Sequence, residues 1–200
     1  MKIVYTGGFA SGKKAVGLAV RHLKAAHGRE VEVEGYTYSS TLRNPLEYAE
    51  SLSRADRVVT HSIGYEALCA SGIDSSDVYA VAPPLPISRA RLFGRTILKT
   101  AGMLRNAKEY GVINVLTYLT SSALEIARHP ISVLRPFFNG DISRFDSSSA
   151  GRPDTFIYSQ TDDYYHDRLQ TLTTDTVVGQ FGCHDQMLFD EQIATIISQD

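Results

Sequence analysis

Residues 58–68 decide the fold and read Val-Val-Thr-His-Ser-Ile-Gly-Tyr-Glu-Ala-Leu. The β-branched start predicts a buried strand that runs directly into Ser62, and a helical pattern begins directly after that serine. A serine on such a sharp strand-to-helix turn is held in a strained conformation above the sheet, over the N-terminus of the helix. The turn needs small residues two positions before and two positions after the serine. Gly64 meets this need, whereas Thr60 is bulkier than its position favours.

The Ser-x-Gly pattern is a weak signal when it is taken alone. Ser149-Ala150-Gly151 repeats it in a serine-rich stretch that no predicted strand precedes. A serine at the start of a helix is also a common N-cap, so Ser62 has a purely structural interpretation beside a chemical one.

Strand and helix patterns alternate along the first 85 residues and return near the C-terminus. The predicted strands cover 2–6, 30–38, 57–60, 77–82, 155–158 and 176–178, and the predicted helices cover 13–27, 44–52, 63–70 and 190–198. Strands and helices that alternate through short connections predict an α/β fold, with a mostly parallel sheet and helices on both of its faces.

Residues 86–150 interrupt this alternation with helical patterns over 87–110 and 112–128, the second of which Pro130 ends. The segment holds nine basic and four acidic side chains, so its net charge is +5 while the rest of the chain carries −7. We therefore predict a core built from 1–85 and 151–200, with 86–150 inserted as a helical cap. The basic cap suggests an anionic substrate or a lipid surface as one hypothesis, although a solvated basic face is the simpler explanation of the charge.

The composition excludes several classes of protein. A hydrophobic fraction of 43% is typical of a folded globular chain, and a net charge of −2 excludes a polybasic nucleic-acid binder. Two cysteines cannot form a disulfide framework, and the His and Cys residues lack the spacing of a metal site. No signal-peptide pattern and no apolar run of about 20 residues is present, so we expect a cytoplasmic protein without stable membrane insertion. The oligomeric state cannot be predicted from these features.

The glycine loop over 7–14, which reads Gly-Gly-Phe-Ala-Ser-Gly-Lys-Lys, has more than one interpretation. It matches the phosphate-binding pattern G-x-x-x-x-G-K, but Lys14 stands where a Ser or Thr would hold Mg²⁺. The predicted strand over 57–60 also does not end in the aspartate of a nucleotide-binding site. A P-loop-like nucleotide binder is therefore a minor alternative, and a glycine turn without a ligand is another.

Two later loops bring further polar side chains to strand ends. The strand over 155–158 is followed by Asp162 and Asp163, and the strand over 176–178 leads to His184 just before the last helix. The order Ser62, Asp162, His184, with the cap between the serine and the aspartate, resembles the α/β-hydrolase superfamily. Residues 6–9, Thr-Gly-Gly-Phe, resemble the His-Gly-Gly-Phe loop of that superfamily, with threonine in place of the histidine. The resemblance covers nearly the whole chain, although the superfamily's leading antiparallel strands have no counterpart before residue 1.

The resemblance implies a serine hydrolase of carboxylesterase type that cleaves a small-molecule ester or thioester without a cofactor or metal. It assigns Ser62 as nucleophile, His184 as general base and Asp162 as the acid that orients the base, with Asp163 as the alternative acid. The backbone N–H groups of Phe9 and Ile63 would form the oxyanion hole.

A non-catalytic module of the same fold that binds a small ligand is the main alternative to an enzyme. The neighbouring His61 leaves the strand in the opposite direction from Ser62, so we expect it to serve packing or support.

Overall fold

The computed structural model describes most of the core and part of the predicted cap. The described residues are 1–28, 30–75, 77–85, 88, 91, 94–95, 100–101, 103–105, 107–108, 111–139 (135–139 without side chains), 155–162, 164, 176–181, 184, 187 and 190–199. The predicted serine-rich linker and most of the predicted helix over 87–110 lie outside them.

Six strands form one sheet in which every pair is parallel. They are β1 (Lys2–Thr6), β2 (Glu32–Tyr36), β3 (Arg57–His61), β4 (Val78–Val81), β5 (Thr155–Ser159) and β6 (Thr176–Gly179). Their spatial order is β2-β1-β3-β4-β5-β6, so the chain changes direction across the sheet between β1 and β3. Ligands of open parallel sheets bind at such a switch point, beyond the carboxyl ends of the strands.

Helices cover both faces of the sheet, which confirms the predicted α/β fold. They are α1 (Lys13–His27), α2 (Tyr38–Arg43), α3 (Pro45–Ser53), α4 (Gly64–Ser71), α5 (Val112–Arg128), α6 (Pro130–Asn139) and α7 (Glu191–Gln199). Neighbouring strand residues point to opposite faces: Val59 packs in the core with α1 and α7, and Val58 packs in the core with α3 and α4. All five residues of β3 are buried, as expected of a parallel strand covered on both sides.

The prediction for residues 30–38 was wrong at its end. Strand β2 stops at Tyr36, and α2 begins at Tyr38 with Thr37 as its N-cap. The Thr37 hydroxyl oxygen accepts a hydrogen bond from the Ser40 N–H at 3.1 Å. Pro130 ends α5 as predicted, but it also begins α6, because proline fits the first turn of a helix, where no intrahelical donor is needed.

Two contacts dock α5 onto the core. Ser121 of α5 caps α1, because its hydroxyl oxygen accepts hydrogen bonds from the N–H groups of Lys14 at 3.2 Å and Ala15 at 3.4 Å. One turn further along α5, the buried carboxylate of Glu125 accepts hydrogen bonds from the hydroxyls of Ser39 and Thr37. The inserted segment is thus anchored next to the loop that follows β1. Its predicted boundaries lie at residues that are not described.

Among the helices in the described ranges, none combines the length and the apolar composition that a bilayer span requires.

The docking of α5 predicts opposite effects for two glycine substitutions in or next to α1. A Cβ at Gly12 would lie 2.3 Å from the backbone oxygen of Ser121, whereas a Cβ at Gly17 meets nothing within 4 Å. Gly12→Ala should therefore lower the free energy of unfolding by about 1–3 kcal/mol through overpacking. Gly17→Ala should raise it by about 0.5–1 kcal/mol through its higher helix propensity. Urea denaturation measures both, and a Gly12→Ala protein as stable as wild type would contradict the described docking.

Candidate active site

Four loops meet at the carboxyl edge of the sheet, since parallel strands all end on the same side. Gly8 follows β1, Ser62 follows β3, Asp162 follows β5 and His184 follows β6. All four predicted site loops therefore lie at one edge of the sheet, although their strands are far apart in the sequence. The loops after β1 and β3 flank the switch point, and the loops after β5 and β6 follow strands further along the sheet.

Ser62 occupies a strained turn of the predicted kind. Its φ is +52°, a left-handed conformation that non-glycine residues seldom adopt and that is concentrated at functional sites. Its N–H donates to the Val81 oxygen at 2.9 Å, and its carbonyl accepts from the Tyr65 N–H at 3.1 Å. These two bonds tie the turn to the end of β4 and to the first residues of α4. The half-buried side chain of Ser62 lies on a backbone that the fold holds firmly.

Gly64 allows this turn to pack against the end of β1. A Cβ at Gly64 would lie 2.6 Å from the Thr6 oxygen and 2.9 Å from the Gly7 oxygen, both of which are backbone atoms. Thr60, which the sequence marked as bulky, is buried in the sheet, where its register partners are Thr6 and Ala80. The threonine is therefore accommodated within the strand without preventing the turn.

The loop after β1 lies directly beside Ser62. A Cβ at Gly8 would be 2.8 Å from the Ser62 Cβ, so only a glycine allows this approach. Phe9 and Ile63 follow Gly8 and Ser62 directly in the sequence, and Ile63 is the N-cap of α4. Their assignment as oxyanion donors stays a prediction.

Thr6 has a structural role at the position where the resembling loop has a histidine. Its hydroxyl is hydrogen-bonded to the Tyr48 hydroxyl of α3 at 2.8 Å, in a buried environment. This bond attaches the start of the glycine loop to the helix layer beneath it.

His184 and Asp162 form the central pair of the site. His184 Nδ1 lies 2.9 Å from Asp162 Oδ2, and both side chains are buried, with relative exposures of 4% and 0%. The other carboxylate oxygen, Oδ1, accepts a hydrogen bond from the Tyr164 N–H at 2.7 Å. Because a carboxylate only accepts, Nδ1 carries the proton of a neutral His184, which leaves Nε2 as the acceptor. This is the tautomer that a general base requires.

Ser159 connects the two loops that carry this pair. Its hydroxyl oxygen accepts a hydrogen bond from the Phe181 N–H at 3.2 Å, and the Gln160 N–H donates to the Gly179 oxygen at 2.8 Å. The loop after β5 and the loop after β6 are thus joined at their first residues, which fixes the starting points of the segments bearing Asp162 and His184. Asp163, the alternative acid, lies outside the described residues.

The relation of Ser62 to this pair is less direct. Within the described ranges, no hydrogen bond joins the Ser62 hydroxyl to His184, so the structure brings two of the three proposed residues into contact. The residue before the serine does contact His184, because the ring centroids of His61 and His184 are 4.9 Å apart. Hydrogen bonds between a nucleophile and its base are often long in free enzymes and shorten when substrate binds.

His61 was expected to serve packing or support, and the structure shows which residue it contacts. Its ring faces His184, and its Nε2 lies 3.0 Å from the His184 backbone oxygen. The strand alternation alone gave no signal of this contact, because the His184 loop comes from 123 residues away in the chain.

The structure also bears on the phosphate-loop interpretation of residues 7–14. The N–H groups of Lys14 and Ala15, at the start of α1, are engaged by the Ser121 hydroxyl. A phosphate bound at this loop would need helix N-terminal amides of this kind, and these two already have a partner.

Residues within the described ranges form no group of three or more His, Cys, Asp or Glu side chains suited to hold a metal ion.

The packing of the turn predicts the effect of a methyl group at Gly64. Gly64→Ala should lower the free energy of unfolding by about 1–3 kcal/mol, because its Cβ meets backbone oxygens that cannot rotate away. Urea denaturation beside Gly17→Ala, which meets no such atoms, separates a steric effect from a general effect of replacing glycine. Equal stability of Gly64→Ala and wild type would show that the turn is not packed as described.

Comparisons with known proteins identify the fold. No protein-family model and no curated protein sequence matches the chain. The solved structure of 1H-3-hydroxy-4-oxoquinoline 2,4-dioxygenase is similar with a TM-score of 0.60 and 15% identity, covering 98% of this chain and 89% of that one. A lipase-esterase related protein from Clostridium acetobutylicum ATCC 824 is similar with a TM-score of 0.55 and 10% identity, covering 99% and 92%. A meta-cleavage product hydrolase from Pseudomonas fluorescens IP01 gives a TM-score of 0.51 and 14% identity, covering 100% and 89%. Together with the parallel sheet and its order, these similarities show that the chain has the α/β-hydrolase fold.

Proposed function

We propose that this protein is a serine hydrolase that cleaves a carboxylic ester or thioester of a small molecule by acyl transfer. Ser62 is the nucleophile, His184 the general base and Asp162 the residue that orients the base. The observation that carries the proposal is the buried His184–Asp162 hydrogen bond at the sheet edge where the strained Ser62 turn lies.

The proposed reaction uses the tautomer of His184 that its hydrogen bond to Asp162 favours. The Ser62 oxygen attacks the acyl carbon while His184 Nε2 takes the hydroxyl proton, and Asp162 stabilises the imidazolium that forms. His184 then gives this proton to the leaving alcohol or thiol as the bond to the acyl carbon breaks. Water, activated by the same imidazole, releases the acid and restores the Ser62 hydroxyl. No cofactor or metal enters any of these steps.

The tetrahedral intermediate needs donors for its oxyanion. We assign this role to the backbone N–H groups of Phe9 and Ile63, because the Gly8 backbone lies against Ser62 and Ile63 is the N-cap of α4. One such donor typically contributes about 3 kcal/mol to the transition state. The N-terminus of α4 adds a favourable dipole at the same position.

The similar solved structures support the fold of this chain, but they do not indicate which reaction it catalyses. Two are described as a hydrolase and a lipase-esterase related protein, whereas a third is described as a dioxygenase. One fold therefore accommodates different reactions. Our proposal of ester cleavage rests instead on the arrangement of Ser62, His184 and Asp162. We also propose a cytoplasmic location, as expected from the sequence.

A non-catalytic ligand-binding module is the second candidate. It is favoured by one observation, namely that within the described ranges the Ser62 hydroxyl makes no hydrogen bond with His184. Such a module would keep the fold and the His184–Asp162 pair but leave the serine unactivated. Reaction with a fluorophosphonate probe, which needs an activated serine, distinguishes the two candidates.

The nucleophile assignment predicts the outcome of covalent labelling. The wild-type protein should react with a fluorophosphonate probe at Ser62, and Ser62→Ala should abolish the reaction. Mass spectrometry of the labelled peptide identifies the site. Ser71→Ala, which removes a serine hydroxyl bonded to a backbone carbonyl within α4, is the matched control and should label like wild type. Labelling that persists in Ser62→Ala would assign the nucleophile elsewhere, and no labelling of wild type would favour the binding module.

The acid assignment predicts a large effect on rate with a small effect on structure. Asp162→Asn keeps an oxygen to accept the Tyr164 N–H but can no longer hold His184 in the required tautomer. Hydrolysis of a chromogenic ester should fall by about 10⁴-fold, as is typical of such a change in a catalytic triad. Asp77→Asn, which alters an aspartate paired with Arg57 away from the site, is the control. Equal rates for Asp162→Asn and wild type would exclude Asp162 as the acid.

A further inference from the structure

His61 occupies an unusual position for a strand residue with no assigned role. It is the last residue of β3, adjoins Ser62 and is only 1% exposed. Its Nε2 lies 3.0 Å from the backbone oxygen of His184. A carbonyl oxygen can only accept, so Nε2 must carry a proton and donate it. The side chain beside the nucleophile therefore holds the main chain of the base.

The two imidazole rings are also in direct contact. Their centroids are 4.9 Å apart with an interplanar angle of 52°. Tyr164 makes a second ring contact with His184, at 4.7 Å and 67°. The hydrogen bond from His61 restricts the position of the His184 backbone. The two ring contacts and the Asp162 hydrogen bond at Nδ1 restrict the orientation of the His184 ring.

His61 also lies against the loop on the other side of the serine. A Cβ on Gly8 would be 2.8 Å from His61 Nδ1 and equally close to the Ser62 Cβ. The ring of His61 thus lies between the glycine loop after β1 and the loop that carries His184. It connects the strand of the nucleophile to the backbone of the base.

We propose that His61 is a positioning residue, which sets the location of the His184 imidazole relative to Ser62 through its Nε2–H bond to the His184 carbonyl. The expected effect of His61 on the reaction rate rests on the proposed function. Its expected effect on the geometry of His184 does not. Because Nε2 of His184 lies at the far end of the ring, a small displacement of its backbone moves the accepting atom away from the serine. A misplacement of about 1 Å can cost about 100-fold in rate.

Two substitutions separate the hydrogen bond from the bulk of the ring. His61→Phe keeps an aromatic ring but has no donor, whereas His61→Gln places an amide N–H the same number of bonds from Cβ as Nε2–H. His27→Phe and His27→Gln are matched controls, since His27 Nε2 lies 3.3 Å from the Ile197 backbone oxygen, between α1 and α7. These controls also remove or replace a histidine next to a carbonyl, far from the sheet edge that carries the site.

The test measures two quantities for the full-length protein. The first is the second-order rate constant for fluorophosphonate labelling of Ser62, and the second is the proton NMR signal of His184 Nδ1–H, which reports on its bond to Asp162. His61→Phe should lower the rate constant by about 10- to 100-fold and shift or broaden the signal. His61→Gln should restore most of the rate and the wild-type signal, and the His27 variants should change neither.

The outcomes distinguish this inference from the proposed function. A His61→Phe protein with the wild-type rate and signal would overturn the positioning role while leaving Ser62 as nucleophile. Equal losses in His61→Phe and His61→Gln would also overturn it, because the donor would then be irrelevant. If wild type does not label at all, the proposed function fails, and the His184 signal alone still decides whether His61 positions that ring.

Discussion

The close packing of the turn after β3 against the end of β1 is the constraint on which the site depends. Gly64 can approach the Thr6 and Gly7 carbonyls only because it lacks a Cβ. The same turn holds Ser62 in a strained backbone conformation, with a φ of +52°. The fold offsets this strain with hydrogen bonds from the serine backbone to β4 and α4. The strained turn in turn places a half-buried hydroxyl where the strand order reverses, which is the part of a parallel sheet best suited to bind a ligand.

The proposed reaction also requires a base with a fixed orientation, a role that we assign to a pair of residues from the C-terminal half of the chain. Asp162 and His184 bond to each other in a buried environment, where an unpaired carboxylate would be costly. Tyr164 satisfies the remaining carboxylate oxygen, and Ser159 joins the two loops at their origin. Buried polar groups with hydrogen-bond partners destabilise the fold less than unpaired ones do, and their hydrogen bonds favour a single geometry.

Much of this arrangement could be predicted from the sequence, because it rests on local patterns. Alternating strands and helices predicted the parallel sheet, and the positions of Asp162 and His184 after late strands predicted the pair that the structure brings together. The missed features depend on contacts between distant segments or on local capping. Helix α2 begins at the N-cap Thr37, where the sequence Tyr-Thr-Tyr over 36–38 is also typical of a strand. The contact of His61 with His184 depends on a loop 123 residues away. The chemical roles of all five assigned residues, Ser62, Asp162, His184, Phe9 and Ile63, remain predictions.

A crystal structure of the protein after reaction with a fluorophosphonate would show whether Ser62 and His184 act together. We expect a covalent bond from the Ser62 oxygen to phosphorus and a His184 Nε2 within hydrogen-bonding distance of that oxygen, about 2.6–3.2 Å. We also expect a phosphoryl oxygen that faces the N–H groups of Phe9 and Ile63. An adduct on another residue, or an imidazole turned away from the modified serine, would rule out this arrangement.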